Sequence, residues 1–142
     1  MISQKEITLP SFSRGFHLIT NYITNSLPKT TGVVHVFIKH TSAGLTINEN
    51  ADPTVREDFE THFNKLVSEK ETHFKHKNEG LDDMTSHIKS SLLGCSVSFP
   101  IKKGVPLFGL WQGVYLCEHR NNGGNRKIII TRSEEHTSEL QS

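Results

Sequence analysis

The sequence predicts one domain of mixed α and β structure. Two segments place apolar residues at helical spacing, and the chain from Cys95 to Thr131 alternates in the manner of β-strands. No internal repeat or linker divides the 142 residues, which have the length of one compact domain. Only 34% of the residues are hydrophobic, which gives a modest core and favours burial of further surface by self-association.

The first 40 residues predict two strands and a short helix. Residues 7–9 are the first strand, and residues 21–27 are the helix, with Thr20 as its N-cap. Residues 33–39 are rich in branched side chains and are apolar on both faces, which is typical of a central strand. His40 then stands at the end of this strand, where the chain leaves the core.

Residues 40–53 follow as a polar stretch with one histidine, three hydroxyls, two amides and two acids. We interpret it as a connection that displays chemistry, and the alternative is a loop with capping residues only. Asp52 and Pro53 have the types that begin a helix. The predicted inward stripe of that helix consists of Val55, Phe59, Phe63 and Leu66.

Residues 68–80 are polar, carry His73 and His76, and predict a surface loop that lies over a site. A second helix is predicted from residue 82 to residue 93, with Gly94 ending it. We expect His87 on or beside its inward stripe, where a histidine is either a hydrogen-bonded core residue or a functional one. That stripe consists of Met84, Ile88, Ser91 and Leu92.

The C-terminal part predicts strands only. Glu118 and His119 fall on opposite faces of one of them, because side chains alternate along a strand. The predicted elements are a strand at 95–101, a turn at 102–104, an edge or bulged strand at 105–110, a strand at 113–119, a hairpin turn at 121–124 and a last strand at 127–131.

Composition excludes several classes of protein. The net charge of +1 gives no electrostatic reason to expect nucleic-acid binding. No apolar run has the length of a membrane span, and no signal peptide is visible. Cys95 and Cys117 lie in apolar segments, so we expect two reduced core cysteines and a cytoplasmic protein.

Four segments, in this order, resemble the YjbQ family. They are His40–Ala43 continued by Asn48–Asn50, Ser86–Gly94, Gly109–Gly113, and Glu118–Arg120 continued by Gly123–Arg126. The resemblance implies a compact, mostly antiparallel β-sandwich-like α+β fold with two or three helices, assembled as a homotrimer. It also implies a thiamine-phosphate synthase activity, either as the main reaction or as a side reaction. Leu110 and the pair His119-Arg120 depart from the family pattern, which has Thr and Phe-Asp there.

The same motifs contain the candidate catalytic residues His40, His87, Glu118 and His119. Two imidazoles and a carboxylate make a mononuclear metal set with open positions, so His40, His87 and Glu118 are candidate ligands of zinc or magnesium. The same histidines also suit a metal-free general acid and base. No glycine-rich phosphate loop is present, so no nucleotide cofactor is expected.

Three cations are candidates for binding a phosphate group of the substrate. Arg120 and Arg126 flank the glycine turn, and a guanidinium fork suits phosphate. Lys89 adds a point charge. The alternative for all three is a solvated rim.

Three functions fit these residues. The first is a transferase that resembles secondary thiamine-phosphate synthase and acts on a small phosphorylated heterocycle. The second is a metal-dependent hydrolase or lyase of another substrate. The third is a trimeric, non-catalytic ligand-binding protein. Fold alone does not choose among them.

Residues 132–142 differ from the rest. Residues 132–141 read as the translation of a common sequencing adaptor, so we interpret 132–142 as a non-native tail on a domain of residues 1–131. The domain then has 15 basic residues (16 less 1) and 12 acidic residues (15 less 3). We expect a last strand that stops at Thr131 and no role for His136. The alternative is a genuine disordered acidic tail.

Overall fold

The computed structural model describes residues 1–134, which form two antiparallel sheets and three helices. The five-stranded sheet has the order β1 (Ile2–Thr8), β8 (Lys127–Glu134), β3 (Gly32–Ile38), β5 (Ser96–Lys102) and β6 (Val105–Pro106). The three-stranded sheet has the order β2 (Gly15–Leu18), β7 (Gln112–Glu118) and β4 (Ala43–Glu49). The helices are α1 (Thr20–Thr24), α2 (Pro53–Leu66) and α3 (Leu81–Leu93). The predicted α+β fold with mostly antiparallel strands is confirmed.

The main core lies between the two sheets. Val34, Val36 and Ile38 of β3 point into it, as their spacing predicts, and Leu45 and Leu116 face them from the smaller sheet. The other side of the smaller sheet carries α2 and α3. The side chains packed in that second layer are Phe16, Tyr115 and Cys117 of the sheet with Phe59, Phe63 and Leu93 of the helices.

The strand β7 separates these two layers. Val114 and Leu116 belong to the core between the sheets, and Tyr115 and Cys117 face the helices. The alternation predicted for this strand is therefore confirmed. It sends Glu118 and His119 to opposite sides of the smaller sheet, and both side chains are buried.

The interpretation of residues 40–53 as a connection alone is wrong. Residues 43–49 form β4, which pairs with β7. Gly44 allows this strand to lie against α3, because a Cβ there would come within 2.9 Å of the Gly94 carbonyl oxygen. The sequence did not predict this strand because most of the stretch is polar, and the apolar side chains of the strand are those of Ala43, Leu45 and Ile47.

The predicted inward stripe of α3 is also wrong, although the helix has the expected length and ends before Gly94. Leu92 is 59% exposed and Ser91 is exposed, whereas Met84 and Ile88 are half-buried. The buried residues are Asp82, Asp83, Thr85, Ser86 and Lys89. A polar face is buried here because its groups find hydrogen-bonding partners in neighbouring elements.

Smaller corrections concern caps and turns. The structure begins α1 at Thr20 after Ile19, and the Thr20 hydroxyl accepts a hydrogen bond from the Val114 N–H instead of capping the helix. The turn after β7 does not make a hairpin, because β7 and β8 belong to different sheets. Cys95 is exposed, whereas Cys117 is buried as expected. Asp52 caps α2, with Pro53 at its start, as predicted.

The last strand runs past Thr131. Arg132 pairs with Ser3 and Val34, and Ser133 pairs with Ile2 and Val33. The expected end at Thr131 is therefore wrong, because strand pairing uses backbone groups that any residue but proline supplies. The rest of the segment interpreted as a tail, with His136, lies outside the described residues. Within residues 1–134, no helix has the length and hydropathy that crossing a bilayer requires.

Candidate metal centre and active site

His40 and His87 line one cavity of about 400 Å³ at the surface. His40 follows β3, and His87 projects from α3. The cavity also contains hydroxyl groups and the exposed thiol of Cys95. The structure therefore brings together two of the histidines that the sequence singles out.

His87 is held by contacts on both sides of its ring. Its Nδ1 lies 3.0 Å from the Thr41 carbonyl oxygen, which accepts a hydrogen bond from it. Its Nε2 lies 3.1 Å from Asp83 Oδ2. Since Nδ1 carries the proton, the Nε2 of a neutral ring presents a lone pair to a carboxylate. A doubly protonated ring, or a cation between the two atoms, makes this contact with a carboxylate anion favourable.

His76 approaches the same carboxylate from the loop before α3, with 2.6 Å between its Nε2 and Asp83 Oδ2. The ligand atoms of His76, Asp83 and His87 all lie within 4.8 Å of one another. A tetrahedral zinc ion holds its ligand atoms roughly 3.4 Å apart. The Asp83–His87 distance is already close to that value. His76 Nε2 lies closer to Asp83 Oδ2 than that, and the His76 side chain is 46% exposed, which leaves it room to adjust.

Further hydrogen bonds orient the side chains of His87 and Asp83. Metal-bound histidines usually donate their other N–H to a carbonyl or a carboxylate, as His87 does to Thr41. Asp83 Oδ1 accepts a hydrogen bond from Arg120 at 2.5 Å. Burial acts to raise the pKa of Asp83, but the hydrogen bond from His76 and the charges of His87 and Arg120 outweigh it and lower the pKa. Asp83 is therefore negatively charged and can bind a cation.

Arg120 joins the start of α3 to the end of β7. Its guanidinium donates to Asp82, to Asp83 and to the Glu79 carbonyl. The backbone N–H of Asn121 completes the contacts of Asp82. Arg120, which was predicted to bind phosphate, is thus directed at two carboxylates, and it positions the first turn of α3.

Glu118 does not reach this cluster. It lies fully buried between the sheets and accepts two hydrogen bonds from Arg126, at 2.8 Å and 2.6 Å. Gly123 packs over the pair so closely that a Cβ there would clash with the Glu118 carboxylate. Arg126, a predicted phosphate ligand, is buried as well and directs its guanidinium at Glu118, so the alternative of a solvated rim residue is wrong.

The Glu118–Arg126 ion pair lies close to His40. The backbone N–H of Lys127 donates to His40 Nε2 at 2.9 Å, so a neutral ring carries its proton on Nδ1. Burial and the charge of Arg126 lower the pKa of His40, although Glu118 opposes them. His40 is therefore suited to donate a hydrogen bond from Nδ1 into the cavity.

His119 and Lys89 lie on the helix side of the smaller sheet, away from His40. Lys89 is fully buried and donates to Asn64 at 2.6 Å, so it is not part of a solvated rim. Burial and the charges of Lys89 and Arg14 lower the pKa of His119 to about 3. The Nε2 of His119 has no hydrogen-bonding partner within the described residues.

Two residues of the His76–Asp83–His87 cluster, His76 and Asp83, were absent from the predicted site. Asp83 and His87 stand four residues apart, the spacing that places two side chains on one helix face, so this pair was detectable in the sequence. His76 belongs to the loop that was expected to lie over a site, but no local pattern relates it to Asp83.

Comparison with known proteins agrees with this fold. The family model described as "UPF0047 protein YjbQ-like" matches residues 5–135. A UPF0047 protein YjbQ from Salmonella typhimurium is 53% identical over 132 residues, which cover 90% of this chain and 95% of the relative. A conserved hypothetical protein from Thermus thermophilus superposes with a TM-score of 0.82 at 32% identity, over 89% of this chain and 97% of the other.

A second solved structure extends this agreement. A YjbQ/UPF0047 protein from Clostridium acetobutylicum gives a TM-score of 0.79 at 32% identity and covers 91% of this chain and 99% of its own. The matches span nearly all of these relatives, so the similarity concerns the whole domain. The chain belongs to the YjbQ-like UPF0047 family.

Proposed function

We propose that the protein is a small-molecule enzyme that acts on a phosphorylated heterocycle at a divalent-metal site formed by His76, Asp83 and His87. The observation that carries this proposal is the double position of His87, which belongs both to the ligand cluster and to the wall of the cavity. An ion bound there would have protein ligands on one side and an open position on the other, as catalytic zinc sites do.

This assignment changes the ligand set expected from the sequence. Asp83 takes the place of Glu118, whose oxygens are occupied by Arg126. His76 takes the place of His40, whose Nε2 accepts the Lys127 N–H. His40 then serves as a hydrogen-bond donor to the substrate. The Glu118–Arg126 ion pair stabilises the strand end next to His40.

The resemblance to secondary thiamine-phosphate synthase suggests the chemistry. In that reaction a thiazole nitrogen attacks the methylene carbon of a pyrimidine-methyl diphosphate, the N–C bond forms, and the C–O bond breaks with release of diphosphate. A divalent cation supplies charge stabilisation for this leaving group. In this proposal the Nδ1–H of His40 donates to a phosphate oxygen in the cavity.

A metal-dependent hydrolase is the second candidate. Two histidines and a carboxylate with an open coordination position are the ligand set of several hydrolytic zinc enzymes. In this case a bound water would be the nucleophile, and His40 would stabilise the leaving group.

Elemental analysis and activity measurements on the full chain test the proposal. We expect zinc or another divalent metal to co-purify at one ion per chain, and chelation to abolish thiamine-phosphate formation. His87→Ala should lose both metal and activity, whereas His40→Gln should keep the metal and lose most of the activity. Activity that survives complete chelation but is lost in His87→Ala would show that the reaction uses acid–base catalysis by His87 and needs no metal. Tight ligand binding without turnover would indicate a binding protein.

A further inference from the structure

We propose that a second cavity, on the other side of the ligand cluster, binds a planar ring that carries an anionic group. This inference rests on the proposed function and extends it to the substrate. The cavity has a volume of about 220 Å³ and lies between the loop that precedes α3 and the first turn of that helix. The residues of its wall that matter here are Phe74, His76, Lys77, Leu81 and Met84.

The ligand cluster stands between the two cavities. His76 lines the cavity under the loop, and His87 lines the cavity beside His40. The two imidazole rings lie 5.4 Å apart between centroids, with Asp83 Oδ2 in contact with both. An ion at this position would therefore be reached from either cavity. This arrangement suits a substrate with two parts, or two substrates that are joined between the cavities.

The cavity under the loop offers apolar surface to a ring. Phe74 is the one half-buried residue in a loop that is otherwise exposed from Lys70 to Gly80. Leu81 is 74% exposed although it begins α3, and Met84 lies one turn further along the helix. An aromatic and two aliphatic side chains around one opening favour a flat apolar group, which would cover the exposed face of Leu81.

Charged side chains at this opening can hold an anion. Of the two acids in its wall, Glu69 pairs with Arg14 at 2.5 Å, and Glu71 is exposed and lies 3.4 Å from His73. Lys77 forms no ion pair within residues 1–134. Solvent screens the exposed carboxylate of Glu71, and Lys77 and the ion proposed at His76 supply positive charge to the opening. Both attract a phosphate or carboxylate group on the ring.

Phenylphosphonate is a suitable probe, because it combines a flat ring with a dianion and has no ester bond to hydrolyse. Its binding to the zinc-loaded full chain can be measured by isothermal titration calorimetry. We expect millimolar or tighter binding, a loss of roughly three- to tenfold in affinity for Phe74→Ala, and a similar loss for Lys77→Ala. Lys75→Ala is the matched control, since Lys75 lies in the same loop but outside the cavity wall, and it should bind as the wild type does.

The zinc content of each sample separates the possible failures. Equal affinities for the wild type, Phe74→Ala and Lys77→Ala, with zinc retained, would overturn this inference and leave the proposed function intact. A wild type that holds zinc but does not bind the probe at millimolar concentration would do the same. A wild type that takes up no zinc would overturn both proposals. Phe74→Leu keeps apolar volume in the loop, and its affinity should fall between those of the wild type and Phe74→Ala.

Discussion

His87 and Thr41 connect α3 to the loop after β3, with 3.0 Å between the ring Nδ1 and the carbonyl oxygen. This contact determines which nitrogen of His87 faces Asp83. It also keeps the ring at the border between the cavity and the ligand cluster. A backbone carbonyl therefore positions the residue that links substrate and metal in the proposed site.

Zinc binding is expected to depend on His76. His76→Ala should weaken zinc affinity by more than about 100-fold, since even the loss of an outer hydrogen-bonding partner costs 10- to 100-fold. His73→Ala, in the same loop and 70% exposed in its side chain, should bind zinc as the wild type does. Competition with a chromophoric chelator measures both affinities. Equal losses in the two variants would show that the loop as a whole matters and that His76 is not a ligand.

His119 is expected to make the protein sensitive to acid. Its pKa is about 3 in the folded chain, whereas a histidine in the unfolded chain titrates near pH 6.5. Between these values the unfolded state binds a proton that the folded state does not bind, so stability falls as the pH falls below about 6.5.

His119→Phe removes that titration. The free energy of unfolding of the wild type should drop between about pH 7 and pH 5 by about 2 kcal/mol more than that of the variant. Urea unfolding at the two pH values measures the difference. The other titrating groups are the same in both proteins, so parallel pH dependences would contradict the expected neutral state of His119.

The buried pair Glu118–Arg126 should be essential to stability. Glu118→Gln leaves a buried guanidinium without its counter-ion and should destabilise the fold by about 3–5 kcal/mol. The exposed pair Lys39–Glu6 is the control, because an ion pair in solvent contributes little. Glu6→Gln should leave the thermal midpoint unchanged. A Glu118→Gln protein as stable as the wild type would indicate that Arg126 finds other partners.

The end of β8 gives a prediction about chain length. A chain of residues 1–134 keeps the pairing of Arg132 and Ser133 with β1 and β3, and a chain of residues 1–131 loses it. These four residue pairs carry about four backbone hydrogen bonds. Each is worth about 1 kcal/mol, so the shorter chain should be less stable by about 4 kcal/mol. Chemical denaturation of the two chains measures this, and equal midpoints would show that the ladder beyond Thr131 contributes nothing.

We expect the chain to assemble as a homotrimer. The outer face of the five-stranded sheet exposes half of Val33 and 40% of Phe37, and Leu92 of α3 is also exposed. A threefold interface would bury such side chains. Light scattering should return about three times the chain mass of 16.0 kDa, and Phe37→Lys should lower that value if the sheet face is in the interface. A monomer mass at micromolar concentration would contradict the trimer.

The sequence predicted alternation well and burial of polar groups poorly. The faces of β3 and β7 followed from the period of a strand, which is a local property. The face of α3 did not, because Asp83 and Lys89 are buried by partners far away in the chain, namely Arg120 and Asn64. Apolar spacing alone cannot anticipate such partners.

The candidate site was also predicted only in part. His40 and His87 were found because each stands in a recognisable motif at the end or on the face of an element. The cluster around Asp83 needed the loop to fold back onto α3, and no spacing in the sequence encodes that contact. The pairing of Glu118 with Arg126 was not anticipated, because the two residues were assigned separately to a metal and to phosphate.

The central position of β7 affects how the protein can diverge. Because Glu118 and His119 are buried on opposite sides of one strand, a change on the helix side leaves the ion pair behind His40 untouched. Exchange of His119 for an apolar residue can therefore alter acid tolerance while Glu118 and Arg126 keep their packing between the sheets. One strand thus separates a group that sets acid tolerance from an ion pair that stabilises the fold, so substitutions at positions 118 and 119 have different consequences.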